Sequence, residues 1–134
     1  MAYKDPQKAL EYGRSWYHKN KDRARKVRAV WKEKNKRRHA EYNKQRNAEV
    51  KLEVLSHYGP NGHLQCSWPD CSVIDPDMLS LDHVNNDGAK DRKTRGTGGR
   101  LYSILRTNGL PDGFQTLCHN HQWKKELMRR RGEF

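Results

Sequence analysis

Three cysteines and a histidine, spaced as Cys66-x4-Cys71 and Cys118-x2-His121, constrain this chain more than any other feature. Two close pairs separated by a long insertion suit a tetrahedral structural zinc site. Thiolate and imidazole are ligands zinc prefers, and each short pair forms a turn that aims both side chains at one ion. No fourth cysteine exists, so the fourth ligand is a histidine. His121 fits the spacing, with His63 and His119 as competitors, and three separate buried thiols are the plainer alternative. An odd cysteine count without an export signal argues against a disulfide framework. Only 33% of the residues are hydrophobic, a thin supply for a core. Small domains so composed are often held by a metal, and a structural zinc contributes on the order of 10 kcal/mol to folding.

Charge divides the chain. Lys and Arg outnumber Asp and Glu by 28 to 16, a net +12. Residues 1–57 hold 17 basic against 7 acidic residues. That excess points to a polyanion, with nucleic acid first and an anionic membrane surface second. The opening residues lack an apolar signal-peptide core, and no apolar run reaches the roughly 18 residues that cross a bilayer. The expectation is an intracellular protein with DNA as partner and no membrane.

Residues 1–57 are expected to form a basic helical arm, and residues 58–134 a small metal-held module. The arm carries a fifteen-residue quasi-repeat, "WYHKNKDRARKVRAV" from Trp16 and "WKEKNKRRHAEYNKQ" from Trp31. Lys19, Lys21, Arg23, Lys34, Lys36, Arg37 and Arg38 are its candidate phosphate contacts. Trp16, Tyr17, Trp31 and Tyr42 would pack on neighbours or on the nucleic acid. A solvated helix held by (i, i+4) ion pairs is the plainer reading. Asn20 and Asn35 could each cap a new helix, and one continuous helix is equally allowed. Val50, Leu52, Val54 and Leu55 are the expected docking face, with Gly59-Pro60-Asn61-Gly62 as the stop.

In the module, "MLSLDHV" and "FQTL" read as strands, and "GRLYSILRTNG" and "HNHQWKKELMRRR" as helices. "DGAKDRKTRGTGGR" lacks phosphate-loop spacing and reads as a mobile loop able to touch phosphate through Arg92, Lys93 and Arg95. Lys124, Lys125, Arg129 and Arg130 on the last helix are further candidates for holding a nucleic-acid backbone.

Asp82 and His83 end the first strand, between the two halves of the metal motif. A zinc pair, then "LDHVNNDG", then "GFQTLCHNH" entering a basic helix, resembles the HNH endonucleases with a ββα-metal fold. The small phage-encoded members, with Lys-Asn-rich helical repeats before the nuclease module, are the most similar. The resemblance covers about residues 58–130, and the arm is matched more loosely. It implies an α+β fold, a zinc-held ββα-metal module that hydrolyses DNA. It also implies that His83 is the general base activating water, and that Asp82 holds a catalytic magnesium or manganese ion. The position completing that metal or phosphate site falls on Gln122, with Asn120 as substitute.

Three departures stand out. Gln122 replaces asparagine or histidine, His121 replaces a common cysteine ligand, and Gly113 replaces an asparagine that usually braces the histidine loop. Asn85 or Asn86 are possible stand-ins for that brace. The chemistry stands beside the resemblance: phosphodiester hydrolysis needs a base near neutral pKa, which histidine supplies, and a cation on hard oxygen ligands. A non-catalytic zinc-containing DNA-binding module is the competing function, and such a module has no need of Asp82-His83. An RNA-binding protein is a third.

Overall fold

The structure is a computed structural model that describes residues 5–133. Its architecture is α+β, mostly helical, with one small two-stranded sheet. Two compact units divide between Asn43 and Lys44, so the second unit begins within the segment expected to belong to the arm.

The first unit contains helix α1 (Pro6–Lys34) and the start of α2 (Lys36–His57). Asp5 caps α1 by accepting from the Gln7 N–H at 2.9 Å, and Pro6 opens the first turn, where its missing N–H costs nothing. None of its described side chains is buried. The sequence allowed a break at Asn20 or Asn35, and it occurs at Asn35 (φ −104°, ψ 6°). Backbone bonds still bridge this point: Asn35 N–H reaches Trp31 O, and His39 N–H reaches Asn35 O, both at 2.9 Å.

In the second unit the rest of α2 supplies Val50, Val54 and Leu55 to the interior, while Leu52 of the expected docking face stays exposed. A 3-10 turn (Pro60–Gly62) follows, then strand β1 (Leu79–His83), α3 (Gly88–Arg95), α4 (Gly98–Thr107), β2 (Phe114–Cys118) and α5 (His119–Arg130). The strands pair antiparallel with Leu79 opposite Cys118, Asp82 opposite Gln115 and His83 opposite Phe114. Leu55, Cys66, Leu79, Leu117 and Cys118 form one buried cluster, and Val50, Val54, Tyr58 and Leu105 another; Leu81 and Tyr102 pack against both. Each fully buried leucine contributes about 1.5–3 kcal/mol. Thr116 fixes α2 to the sheet through its hydroxyl, which donates to Leu55 O at 2.8 Å.

The segment "DGAKDRKTRGTGGR" corrects the sequence expectation, for it is largely helical and not a loop. Asp87 O accepts from Lys90 and Asp91 N–H groups, Asp91 pairs with Arg95 one turn on, and Gly96 at φ +80° closes the helix. These local bonds outweigh the glycine content. Among the described residues, no helix is long and apolar enough to cross a membrane.

Candidate metal centre and the adjoining polar groove

The loop carrying Cys66 and Cys71 turns back on itself. Cys66 N–H donates to Val73 O at 2.9 Å, Cys71 N–H donates to Trp68 O at 3.1 Å, and Asp70 adopts the left-handed conformation at φ +60°. Asp tolerates that region better than most residues. Cys118 ends β2 and stands at the N-cap of α5, with His121 in the first turn. Its sulfur therefore lies at the electropositive end of that helix.

The Sγ atoms of Cys66, Cys71 and Cys118 and a ring nitrogen of His121 all lie within 4.8 Å of one another. His121 Nδ1 is 3.1 Å from Cys118 Sγ and 3.6 Å from Cys66 Sγ. Tetrahedral zinc would set such edges at about 3.5–3.8 Å, so a small contraction or expansion brings the donors to bonding distance. This cluster can hold a metal such as zinc. Burial pushes the Cys66 thiol up to about 11, whereas a backbone hydrogen bond from Val73 draws that of Cys71 down. A buried thiol of that kind ionises when a cation displaces its proton. Trp68 stacks on His121, with centroids 4.9 Å apart and planes at 4°, and Lys124 Nζ lies over the Trp68 ring at 5.4 Å. His63 and His119, the competing histidines, are exposed and outside the cluster.

Beside this centre an open groove of about 590 Å³ is lined by Asp82, His83, Asn86, Gly88, Arg92, Gln122, Glu126 and Arg129 among others. His83 Nε2 lies 2.9 Å from Asp91 Oδ2, and both side chains are largely enclosed. A carboxylate oxygen accepts, so Nε2 carries the proton and Nδ1 is the acceptor of the neutral ring. Nδ1 faces Gly88, where a Cβ would stand 2.9 Å away. Only glycine leaves that face of the imidazole open. Arg95 holds the other Asp91 oxygen at 3.2 Å and lies over Phe114, whose ring packs on His83.

Asp82 Oδ2 accepts from Gln115 Nε2 at 2.9 Å and from Lys125 Nζ at 2.5 Å. Lys125 is 3% exposed and also donates to the carbonyls of His83 and Val84. The sequence placed it among surface cations facing phosphate; it is instead a buried partner of Asp82. Gln122 Nε2 donates to Leu81 O at 3.0 Å. That carbonyl can only accept, which fixes the amide orientation and directs Oε1 away from β1. Asn120 is exposed and does not line the groove. Glu126 is held ionised, down to about 2, by hydrogen bonds from Arg129 and Arg130.

Among the other cations, Lys19, Lys21, Arg23, Lys34, Lys36, Arg37 and Arg38 are exposed on the first unit, and Arg92, Lys93 and Lys124 on the second. Arg95 is half-buried against Asp91. Asp91, Arg95 in its pairing role, Gln115, Gly88 and Lys125 as a buried cation were not visible as site residues in the sequence. An (i, i+4) Asp-Arg pair in "KDRKTR" was the available signal for α3. Neither Asn85 nor Asn86 is hydrogen-bonded to His83 through its side chain; Asp91 occupies the bracing position. No family model, curated protein or solved structure matches this chain.

Proposed function

We propose that the protein is a metal-dependent DNA endonuclease of HNH type, with a structural zinc on Cys66, Cys71, Cys118 and His121. The observation that carries this reading is the convergence of His83, braced by Asp91, with Asp82 and Gln122 on one groove beside a Cys3His cluster. A purely structural histidine has no need of a largely enclosed carboxylate on one nitrogen and a cleared space at the other. His83 Nδ1 takes a proton from water as the water oxygen attacks phosphorus and the 3′-oxygen departs. Asp91 holds the imidazole in the required tautomer and favours the imidazolium that forms. Asp82 Oδ1 and Gln122 Oε1 are hard oxygen acceptors with no protein partner among the described residues, a donor set that suits magnesium or manganese. Such an ion, when bound, supplies charge neutralisation at the phosphate and the leaving oxygen. Arg92 and Arg129 flank the groove as phosphate contacts.

One observation favours a second reading, a non-catalytic zinc-containing DNA-binding module. The Lys125 ammonium already sits on Asp82, as it would if that carboxylate served only to tie α5 to the sheet. Supercoiled-plasmid nicking separates the two. The endonuclease reading expects nicking that needs magnesium or manganese and disappears in His83→Ala, with zinc content unchanged. A zinc-loaded, folded protein that binds DNA but never nicks it leaves the binding module standing.

A further inference from the structure

The two sequence repeats of the arm build two similar, adjoining grooves. The first is lined by Trp16, Arg23, Ala24, Val27 and Arg28 and shares Trp31 with the second, which Asn35, Arg38, His39 and Tyr42 complete. Trp16, Arg23, Ala24 and Val27 recur in the second, fifteen residues on, as Trp31, Arg38, His39 and Tyr42. The local structure repeats as well. Asn20 Nδ2 donates to Trp16 O at 2.9 Å, and Asn35 Nδ2 donates to Trp31 O at 2.8 Å. At about 1.5 Å and 100° per residue, fifteen residues displace the second groove by roughly 22 Å and rotate it by only about 60°. Both therefore lie on one broad face of the first unit. Trp16 is 51% exposed and Trp31 53% exposed. Trp31 has His39 edge-on, with centroids 5.4 Å apart.

A helix that only tracks duplex phosphates needs lysine and arginine, and gains nothing from an exposed indole. An indole face gains from an unstacked base, and an arginine two turns along the same face is placed for the adjoining phosphate. The surrounding charge excludes an ordinary cationic or apolar partner and disfavours a second copy of so basic a surface. We infer that the arm is a tandem reader of unpaired nucleotides, each groove seating one base on its tryptophan and one phosphate on Arg23 or Arg38. The protein then prefers single-stranded or branched DNA to continuous duplex. This inference rests on the DNA partner of the proposed function and extends it to the DNA form recognised.

Fluorescence anisotropy on the zinc-loaded full chain, without added magnesium or manganese, tests it with oligo(dT) and a blunt duplex of equal length. The oligo(dT) is expected to bind more tightly than the duplex. Trp16→Ala and Trp31→Ala should each weaken oligo(dT) binding on the order of 10-fold and by similar amounts. Their duplex affinity should stay within about twofold, and Trp→Phe should restore most of the loss. Arg23→Ala and Arg38→Ala should each lower the slope of log affinity against log salt by about 0.7. Neither indole is buried, so helicity by circular dichroism should be retained. Duplex bound as tightly as oligo(dT), indole variants without effect, or a concentration-dependent dimer abolished by Trp31→Ala would each overturn the inference. Cleavage is not read, so such a result leaves the endonuclease reading intact, and absent nicking leaves this one intact.

Discussion

Replacing Lys125 by methionine probes the joint between α5 and the end of β1. The side chain keeps its length and apolar stem but loses the ammonium. That ammonium, on a side chain 4% exposed, makes three contacts: Asp82 Oδ2 at 2.5 Å, His83 O at 2.6 Å and Val84 O at 3.3 Å. Removing one partner of a buried ion pair typically costs 3–5 kcal/mol. Asp82 is 19% exposed and keeps the Gln115 amide, so water and Gln115 recover part of the loss. About 2–4 kcal/mol remains. For a unit spanning Lys44 to the C-terminal residues, each kcal/mol moves Tm by about 4–8 °C, giving a drop of roughly 8–32 °C. Differential scanning calorimetry of the zinc-saturated protein measures it. Magnesium adds a discriminating arm: with the ammonium gone, a divalent cation can neutralise Asp82. Millimolar magnesium should therefore raise the Tm of Lys125→Met more than that of the parent if Asp82 is a metal ligand. Lys125→Met melting within 1–2 °C of the parent would refute the energetic argument. A normal drop with no selective magnesium response would refute Asp82 as a cation site and favour the binding module.

Other outcomes follow from the same geometry. Cys118→Ser places a poor zinc ligand at the N-cap of α5, and should lose bound zinc by elemental analysis together with cooperative unfolding. Zinc affinity should fall as pH falls, by about tenfold per pH unit for each thiol proton displaced, because Cys66 holds its proton up to about 11 until metal removes it. Competition with a chelator across pH, with proton release followed by an indicator, checks both sign and stoichiometry. Gly88→Ala puts a methyl carbon 2.9 Å from His83 Nδ1. It should lower the nicking rate by at least tenfold while leaving Tm and zinc content near parental values, since the helix itself gains from alanine. Unimpaired nicking would remove Nδ1 as the working atom.

The parts legible in the sequence are those set by short-range chemistry. Cys66-x4-Cys71 and Cys118-x2-His121 announce two turns, and the structure brings all four donors together. The alternation in "MLSLDHV" and the stop at Asn108-Gly109 correspond to β1 and the end of α4, where Gly109 has φ +77°. The break at Asn35 was visible only as one of two options, because Asn20 and Asn35 share the same neighbours and both side chains bond back to a Trp carbonyl. On α2 the expected docking face was legible in Val50, Val54 and Leu55, which lie inside, but not in Leu52, which stays exposed, and the second compact unit begins at Lys44, within the long polar run. Lys125 reads as one more cation in "WKKELMRRR". Its burial is dictated by three acceptors supplied by β1 and the residue after it, which no local pattern discloses.

The same limit explains the brace on His83. The sequence has Gly113 where the resemblance expects an asparagine, and offers Asn85 or Asn86 after β1 as stand-ins. In three dimensions the acceptor comes from α3, a helix that composition disguised as a loop. Asp91 is eight residues from His83, and the turn through Asn86, at φ +58°, returns the chain so that α3 lies against the strand end. A carboxylate there differs chemically from an amide. It accepts the Nε2 proton as an amide oxygen would, and adds charge that stabilises the imidazolium, while Arg95 limits its freedom to rotate. Asp91→Asn keeps an acceptor and loses the charge, whereas Asp91→Ala loses both. If orientation is what the brace supplies, nicking by Asp91→Asn stays close to parental and Asp91→Ala falls by more than tenfold. If charge is the larger part, both fall alike. Equal, parental rates in the two variants would leave the 2.9 Å contact without a role in the chemistry.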